Sequence, residues 1–201
     1  TSENIMSEFI NHTLETAPAA SKILLKAVEN DLGFIPELLA ALAESPASLE
    51  AYLNLAGLFD KTGFSLSERQ VVLLSISRYR NCTYCLAAHG TLAKMQKIPA
   101  NIINAVYYNQ TLEDEKLEAL RTFTRTVLAA DGWVNPQSLH NFYQAGFTKR
   151  QVLEVVLGIS FKTLSNYVNH INDTPIDAQF LSGLPDSGVD HHNQPADAIT
   201  A

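Results

Sequence analysis

The sequence has few cysteines, few charged residues and no long apolar run. Only 2 of its 201 residues are cysteine, too few for the disulfide framework that stabilises small secreted domains. No apolar stretch approaches the roughly 20 residues that a membrane-spanning helix needs. The balance of 14 Lys+Arg against 21 Asp+Glu gives a net charge of −7, which repels polyanions. We therefore expect a protein that binds neither nucleic acid nor membranes.

Glycine and proline are also scarce, at 9 and 8 residues, while 46% of the chain is hydrophobic. This composition is typical of a folded protein with a sizeable core rather than a disordered one. Residues 1–11 lack the basic and then apolar order of a secretory signal. We expect a soluble, cytoplasmic protein with one domain over residues 1–180 and a polar C-terminal tail or arm over residues 181–201.

Apolar residues recur at spacings of three and four along most of the chain, which predicts an all-α protein. Capping boxes are predicted at Ser65 with Glu68, Ser67 with Gln70, and Thr148 with Gln151. They give Glu68 and Gln70 ordinary structural roles. The periodicity and the positions of proline and glycine predict helices over residues 20–30, 36–44, 46–62, 67–80, 82–96, 99–108, 113–131, 136–145 and 149–171.

Two parts of the chain resemble each other. The stretch that begins at Gly63 and continues to residue 84 is similar, with gaps, to the stretch from Gly146 to residue 167. This similarity predicts a duplicated helical hairpin. The alignment pairs Cys82 with Ser165 and Cys85 with Val168, so only the first copy carries thiols.

Cys82, Cys85 and His89 form the pattern that carries chemistry. On a helix, residues at spacings of three and four share one face, which brings two thiols and an imidazole together. Asn81 is the expected N-cap, and the positive end of the helix favours a thiolate at Cys82. A second thiol one turn away can convert an oxidised first sulfur into a disulfide. His89 is placed to accept a proton from Cys85 or to return one to a leaving group.

Three other interpretations of this segment stay open. The side chains can hold a structural zinc ion, although that site type prefers four protein ligands. They can hold a catalytic metal with an open position. The cysteines can also be inert core residues.

The stretch from Ser67 to His89, which contains Cys-x-x-Cys-x-x-x-His, resembles the core motif of the alkylhydroperoxidase-D-like branch of the carboxymuconolactone decarboxylase superfamily. Residues 166–177 are similar to the peroxidase-related subgroup of these proteins. The resemblance covers residues 30–180. It implies an all-α fold of helical hairpins that assembles into homo-oligomers, commonly trimers or hexamers.

The resemblance also implies an activity. A dithiol of this family reduces peroxides, or passes electrons from a lipoyl-type dithiol donor to a peroxiredoxin. By this similarity Cys82 and Cys85 are the redox pair and His89 is the proton relay. We expect Cys85 to attack the peroxide, because it shares a helix face with His89, and Cys82 to resolve the sulfenic acid. No bound cofactor or metal is implied, and an external lipoyl-type or thioredoxin-like dithiol would regenerate the pair.

Two positions depart from the family pattern. Gln70 stands where the family places a glutamate, and an amide cannot supply the negative charge that raises the basicity of an imidazole. Glu68 lies about 200° around the helix from that position, which makes it a poor substitute. Tyr84 stands between the cysteines, where the best-known members carry histidine. His170 is a candidate to complete the relay, from the same chain or from a neighbouring one.

The sequence as a whole predicts a thiol–disulfide oxidoreductase that reduces alkyl hydroperoxides, an antioxidant enzyme of the peroxidase or peroxiredoxin type. One alternative is an oligomer that senses redox state or acts as a scaffold without catalysis. Another is an enzyme of the carboxymuconolactone decarboxylase type, although members with that activity generally lack the cysteine pair.

Overall fold

The structure, a computed structural model, describes residues 10–185. Over this part of the chain it consists of helices and contains no strand. The all-α class and each predicted helix are confirmed, with ends that differ by a few residues. The helices are α1 (Ala19–Leu32), α2 (Glu37–Leu42), α3 (Pro46–Phe59), α4 (Leu66–Tyr79), α5 (Thr83–Met95), α6 (Ala100–Tyr107), α7 (Glu115–Ala129), α8 (Pro136–Gln144), α9 (Lys149–Asn172) and a terminal 3-10 helix (Ala178–Gly183).

Side-chain caps define the starts of α4 and α9. Ser65 caps α4 in a capping box with Glu68, and Thr148 caps α9 in a capping box with Gln151, as the sequence predicts. The third predicted box, Ser67 with Gln70, is wrong. Since α4 begins directly after Ser65, Gln70 lies beyond the first turn, and its side chain is free to face α5.

Helix α4 is the centre of the fold. Every residue from Gln70 to Ser77 is buried, because α5, α6, α7 and α9 all pack around this helix. One apolar cluster surrounds α4 and includes side chains from α6 to α9. A second cluster joins α1, α2 and α3 to the start of α5 and contains both cysteines. The thiols therefore lie inside the protein, between the short N-terminal helices and α9.

The terminal 3-10 helix lies directly on α5. A Cβ atom added to Gly90 would overlap the carbonyl oxygen of Gly183, and one added to Gly183 would overlap the carbonyl oxygen of Ala87. Thr91 donates a hydrogen bond to the carbonyl of Phe180 (3.1 Å). The expected boundary between residues 180 and 181 falls inside this helix, so the chain stays packed through Gly183 rather than leaving as a tail. Residues 186–201 of the expected tail lie outside the described residues.

The Gly183→Ala substitution is expected to loosen this contact and to destabilise the protein by about 1–3 kcal/mol, since a methyl group has no space against α5. Gly57→Ala is the matched control. Gly57 lies inside α3, with nothing within 4 Å of an added Cβ. The Gly57→Ala substitution should therefore stabilise the folded protein by about 0.5–1 kcal/mol. Thermal unfolding of both variants measures the difference, and equal unfolding temperatures would contradict the packing described here.

The two similar stretches begin alike and continue differently. Both start with a capping box, but the first forms α4 and α5 with a break between them, whereas the second forms the continuous 24-residue helix α9. The duplication stays a prediction.

Within residues 10–185, no helix combines the length and the apolar character needed to cross a bilayer.

Candidate active site

The break between α4 and α5 sets the position of the first cysteine. Asn81 adopts a left-handed conformation (φ 53°), which asparagine tolerates better than most residues. It ends α4, and the N–H of Cys82 donates to the carbonyl of Ser77 (2.9 Å). The expectation that Asn81 caps α5 is therefore wrong. Cys82 itself occupies the N-cap position, and Cys85 lies within the first turn.

The two thiols are reduced, adjacent and buried, each with 1% of its surface exposed. The amide of Asn169 on α9 donates to Sγ of Cys85 (3.2 Å) and lies 3.8 Å from Sγ of Cys82. Ser165, one turn earlier on α9, places its Oγ 3.8 Å from Sγ of Cys85. Sγ of Cys85 therefore has more polar side-chain contacts, and closer ones, than Sγ of Cys82.

A buried cation completes the surroundings of Cys85. Lys162 on α9 has 1% of its surface exposed. Burial raises the pKa of the Cys85 thiol, but the hydrogen bond from Cys82 and the charge of the Lys162 ammonium outweigh it and hold that pKa well below its usual range. The hydrogen bond to Cys85, together with burial, raises the pKa of Cys82. These opposite directions favour ionisation of Cys85 over ionisation of Cys82.

His89 is held on both sides. Its Nδ1 lies 3.3 Å from Oε1 of Gln70, and its Nε2 lies 3.0 Å from Nζ of Lys162. Burial, and then the charge of Lys162, lower the pKa of His89 well below its ordinary value. A neutral imidazole suits these contacts, donating from Nδ1 to the amide oxygen and accepting at Nε2 from the ammonium. Gln70 contacts the ring, and both ring nitrogens are engaged by partners other than Cys85.

The structure places the remaining candidate residues away from this relay. Glu68 accepts the backbone hydrogen bond of the capping box and forms an ion pair with Lys116 (2.8 Å). Tyr84 is buried, and its hydroxyl donates to Asp177 (2.6 Å). Burial, and then this hydrogen bond, raise the pKa of Tyr84. His170 is exposed on α9, and its neighbour Asn169 reaches the thiols instead.

Sequence reasoning missed the contribution of α9, namely Lys162, Ser165 and Asn169. One signal was available. Lys162 lies in an otherwise apolar stretch of a predicted helix, at spacings of four and seven from Asn166 and Asn169. This spacing puts the three on one face, and lysine is rarely found on a buried face without a partner.

The arrangement bears on metal binding. Among residues 10–185, no group of three or more His, Cys, Asp or Glu side chains is arranged to hold a metal ion. The ammonium of Lys162 lies at the ring nitrogen of His89 that a metal would use, and a second cation there would be repelled.

Comparisons with known proteins establish the fold. No family model matches the chain, and no curated protein matches it. A peroxidase-related protein of uncharacterized function from Ralstonia eutropha JMP134, described as an alkylhydroperoxidase AhpD core, superimposes with a TM-score of 0.77 at 22% identity, over 92% of this chain and 100% of that one. The chain has the alkylhydroperoxidase-D fold. A second peroxidase-related protein, from Silicibacter sp. TM1040, gives a TM-score of 0.74 at 18% identity, over 87% and 95% of the two chains.

The alkylhydroperoxidase-D fold also occurs in the debrominase Bmp8, with a TM-score of 0.72 at 15% identity, over 91% of this chain and 97% of that one. A cysteine-to-alanine variant of Bmp8, solved with 2,3,4-tribromopyrrole, gives 0.74 at 16% identity, over 90% and 97%. At these identities the similarity is one of fold. The chemistry of the present chain follows from its own residues.

Proposed function

We propose that the protein is a thiol–disulfide oxidoreductase that reduces hydroperoxides, with Cys85 as the attacking thiolate and Cys82 as the resolving thiol. One observation carries the proposal. The amide of Asn169 lies 3.2 Å from Sγ of Cys85 and 3.8 Å from Sγ of Cys82, so the two buried thiols share one polar partner, and the charge of the buried Lys162 lowers the pKa of Cys85. The thiolate is the nucleophilic form of cysteine, and a neighbouring thiol protects the oxidised product.

In the first step, Sγ of Cys85 attacks the terminal oxygen of the hydroperoxide. An S–O bond forms, the O–O bond breaks, and an alkoxide, or hydroxide from hydrogen peroxide, leaves. The leaving oxygen takes a proton from the ammonium of Lys162. Both charges of the buried ion pair disappear together, so no isolated charge remains in the apolar interior.

In the second step, the thiol of Cys82 attacks the sulfenic acid of Cys85. A disulfide forms and water leaves, carrying the thiol proton and the hydroxyl of the sulfenic acid. His89 stays neutral and holds Nζ of Lys162 in place through Nε2 (3.0 Å). This division of roles differs from the sequence expectation, in which His89 supplies the proton.

The disulfide must then receive two electrons and two protons from outside the chain. We assign this role to a small dithiol of the lipoyl type or to a thioredoxin-like protein. Exchange passes through a mixed disulfide, in which an incoming thiolate attacks one sulfur of the pair. Reduction releases Cys85 as a thiol. Its proton then passes to the amine of Lys162, which restores the ammonium and the thiolate.

Steady-state turnover tests the proposal. Full-length protein with dihydrolipoamide and cumene hydroperoxide is expected to consume many equivalents of peroxide per chain. Oxidation of one equivalent followed by a change in oligomer size, without further turnover, would instead support the redox-sensing alternative. Turnover of a carboxymuconolactone that survives replacement of both cysteines by serine would support the decarboxylase alternative.

The pH dependence of the peroxide reaction is a further prediction. Because the pKa of Cys85 is held well below its usual range, lowering the pH from about 8.5 to 7 should leave the rate nearly unchanged, whereas a free cysteine would lose about tenfold or more. The rate should fall only in more acidic solution, where protons convert the thiolate to thiol. Stopped-flow measurement of the bimolecular rate checks this, and a tenfold rise between pH 7 and 8.5 would contradict it.

A second candidate function is reductive dehalogenation of a brominated heteroaromatic ring. Two observations favour it: the fold shared with the debrominase Bmp8, and the aromatic side chain of Tyr52, which packs against the apolar cluster that contains both thiols. In this reaction the thiolate would take bromine from carbon, the carbon would take a proton, and Cys82 would displace bromide to form the disulfide. Release of bromide from 2,3,4-tribromopyrrole under reducing conditions distinguishes the two activities.

A further inference from the structure

Two asparagines on the thiol-facing side of α9 carry buried polar atoms without a hydrogen-bond partner among the described residues. In Asn166, which is fully buried, both Oδ1 and Nδ2 lack a partner. In Asn169, with 4% of its surface exposed, Oδ1 lacks one. A buried polar atom without a partner destabilises the folded state. Three such atoms on neighbouring turns of one helix therefore need a physical explanation.

One of these atoms lies near the reacting sulfur, and the other two are on the same face of α9. The Nδ2 atom of Asn169 is 3.2 Å from Sγ of Cys85, so Oδ1 of the same planar amide is also close to the thiolate. Asn166 is four residues after Lys162 and three before Asn169, which places all three on one face of α9. The residue before Asn166, Ser165, also contacts Cys85 (3.8 Å between Oγ and Sγ).

The unpartnered atoms comprise one donor, Nδ2 of Asn166, and two acceptors, Oδ1 of Asn166 and Oδ1 of Asn169. A ligand that satisfies them must both donate and accept hydrogen bonds, and must do so within reach of the thiolate. A hydroperoxyl group can do both. Its single O–H can donate to one of the two amide oxygens, and its own oxygens can accept from Nδ2 of Asn166.

We propose that Asn166 and Asn169 form a binding subsite for the O–OH group of the substrate. The hydroperoxide donates its O–H to an amide oxygen, and its inner oxygen accepts from Nδ2 of Asn166. The terminal oxygen then lies against Sγ of Cys85, ready for the S–O bond to form as the O–O bond breaks. This inference rests on the proposed peroxide-reducing function and deepens it, because it selects hydroperoxides over dialkyl peroxides, which have no O–H to donate.

The test replaces Asn166 by leucine in the full-length chain. Leucine has the same number and branching of side-chain heavy atoms as asparagine and no polar atoms, so removing two unpartnered groups should leave the unfolding temperature unchanged or higher. Three readouts are compared with the wild type. They are the second-order rate with tert-butyl hydroperoxide, the rate with methyl methanethiosulfonate, and the ultraviolet absorbance of the Cys85 thiolate as a function of pH. The thiosulfonate reacts with thiolates but has no hydroperoxyl group.

The expected result for Asn166→Leu is a fall of about tenfold or more with the hydroperoxide, a change of less than about twofold with the thiosulfonate, and an unchanged thiolate titration. Ser75→Ala is the matched control. Ser75 also has a buried hydroxyl without a partner among the described residues, but it lies about 140° around α4 from Gln70, the residue that faces His89. Its hydroperoxide rate should stay at the wild-type level.

Two results would overturn the subsite. One is an unchanged hydroperoxide rate in Asn166→Leu. The other is an equal fall with both electrophiles, which would show that Asn166 acts on the thiolate rather than on the peroxide. Failure of the proposed function would look different from failure of the subsite. In that case the wild-type protein itself would react with the thiosulfonate but not with the hydroperoxide.

Discussion

Replacing Cys85 by serine is expected to lower the rate of peroxide consumption by about a thousandfold or more, whereas Cys82→Ser is expected to react once at close to the wild-type rate and then stop. The asymmetry follows from the environment of each sulfur. Lys162 and Asn169 stabilise a thiolate at Cys85, while the pKa of Cys82 is raised by the hydrogen bond to Cys85 and by burial. Serine at position 82 keeps an O–H donor toward Cys85 but cannot close a disulfide.

The two cysteine variants control for each other. A sulfenic acid, trapped with dimedone and located by mass spectrometry, should accumulate on Cys85 in Cys82→Ser and be absent from Cys85→Ser. A sulfenic acid on Cys82 in the Cys85→Ser variant, formed at the wild-type rate, would reverse the assignment of attacking and resolving thiols.

Lys162→Met is the second change with a large expected effect. Methionine matches the length of the lysine stem but removes the cation, so the pKa of Cys85 should rise, because burial disfavours the charged thiolate. At neutral pH the thiolate would become a minor species, and the rate with hydroperoxide should fall about a hundredfold. Because the thiolate of Cys85 can take up a proton, no unpaired buried charge remains, and we expect the variant to fold. The ultraviolet thiolate absorbance at neutral pH should disappear with the activity.

Lys149→Met is the matched control, since Lys149 is an exposed lysine at the start of the same helix. It removes one positive charge from α9 without altering the surroundings of Cys85, and its rate should stay close to the wild-type value. An unchanged thiolate absorbance in Lys162→Met would contradict the role of Lys162.

The fold was largely predictable because local signals in this chain agree with one another. Apolar periodicity, the Ser65 and Thr148 caps and the positions of the prolines all indicate the same helices. The terminal 3-10 helix was not predictable, since it depends on a close approach between Gly90 and Gly183, which are far apart in sequence. Association into trimers or hexamers stays a prediction.

The candidate site was predictable only where its residues are neighbours in sequence. Cys82, Cys85 and His89 lie on one short segment, so the sequence identifies them, although the ring of His89 contacts Gln70 and Lys162 rather than a cysteine. Lys162 and Asn169 reach the thiols only because α9 packs across α5, a contact between segments far apart in the chain. The glutamine at position 70, in place of the expected glutamate, has a related explanation. Lys162 on α9 supplies the charge near Cys85, so the neutral amide of Gln70 is enough to orient His89.

The most direct measurement adds one equivalent of cumene hydroperoxide to fully reduced protein near neutral pH and follows the thiolate absorbance together with the count of free thiols. We expect rapid loss of the thiolate signal and of both thiols in each chain, with an intramolecular disulfide between Cys82 and Cys85 as the product. Thiols that stay reduced for hours in the presence of the peroxide would contradict it.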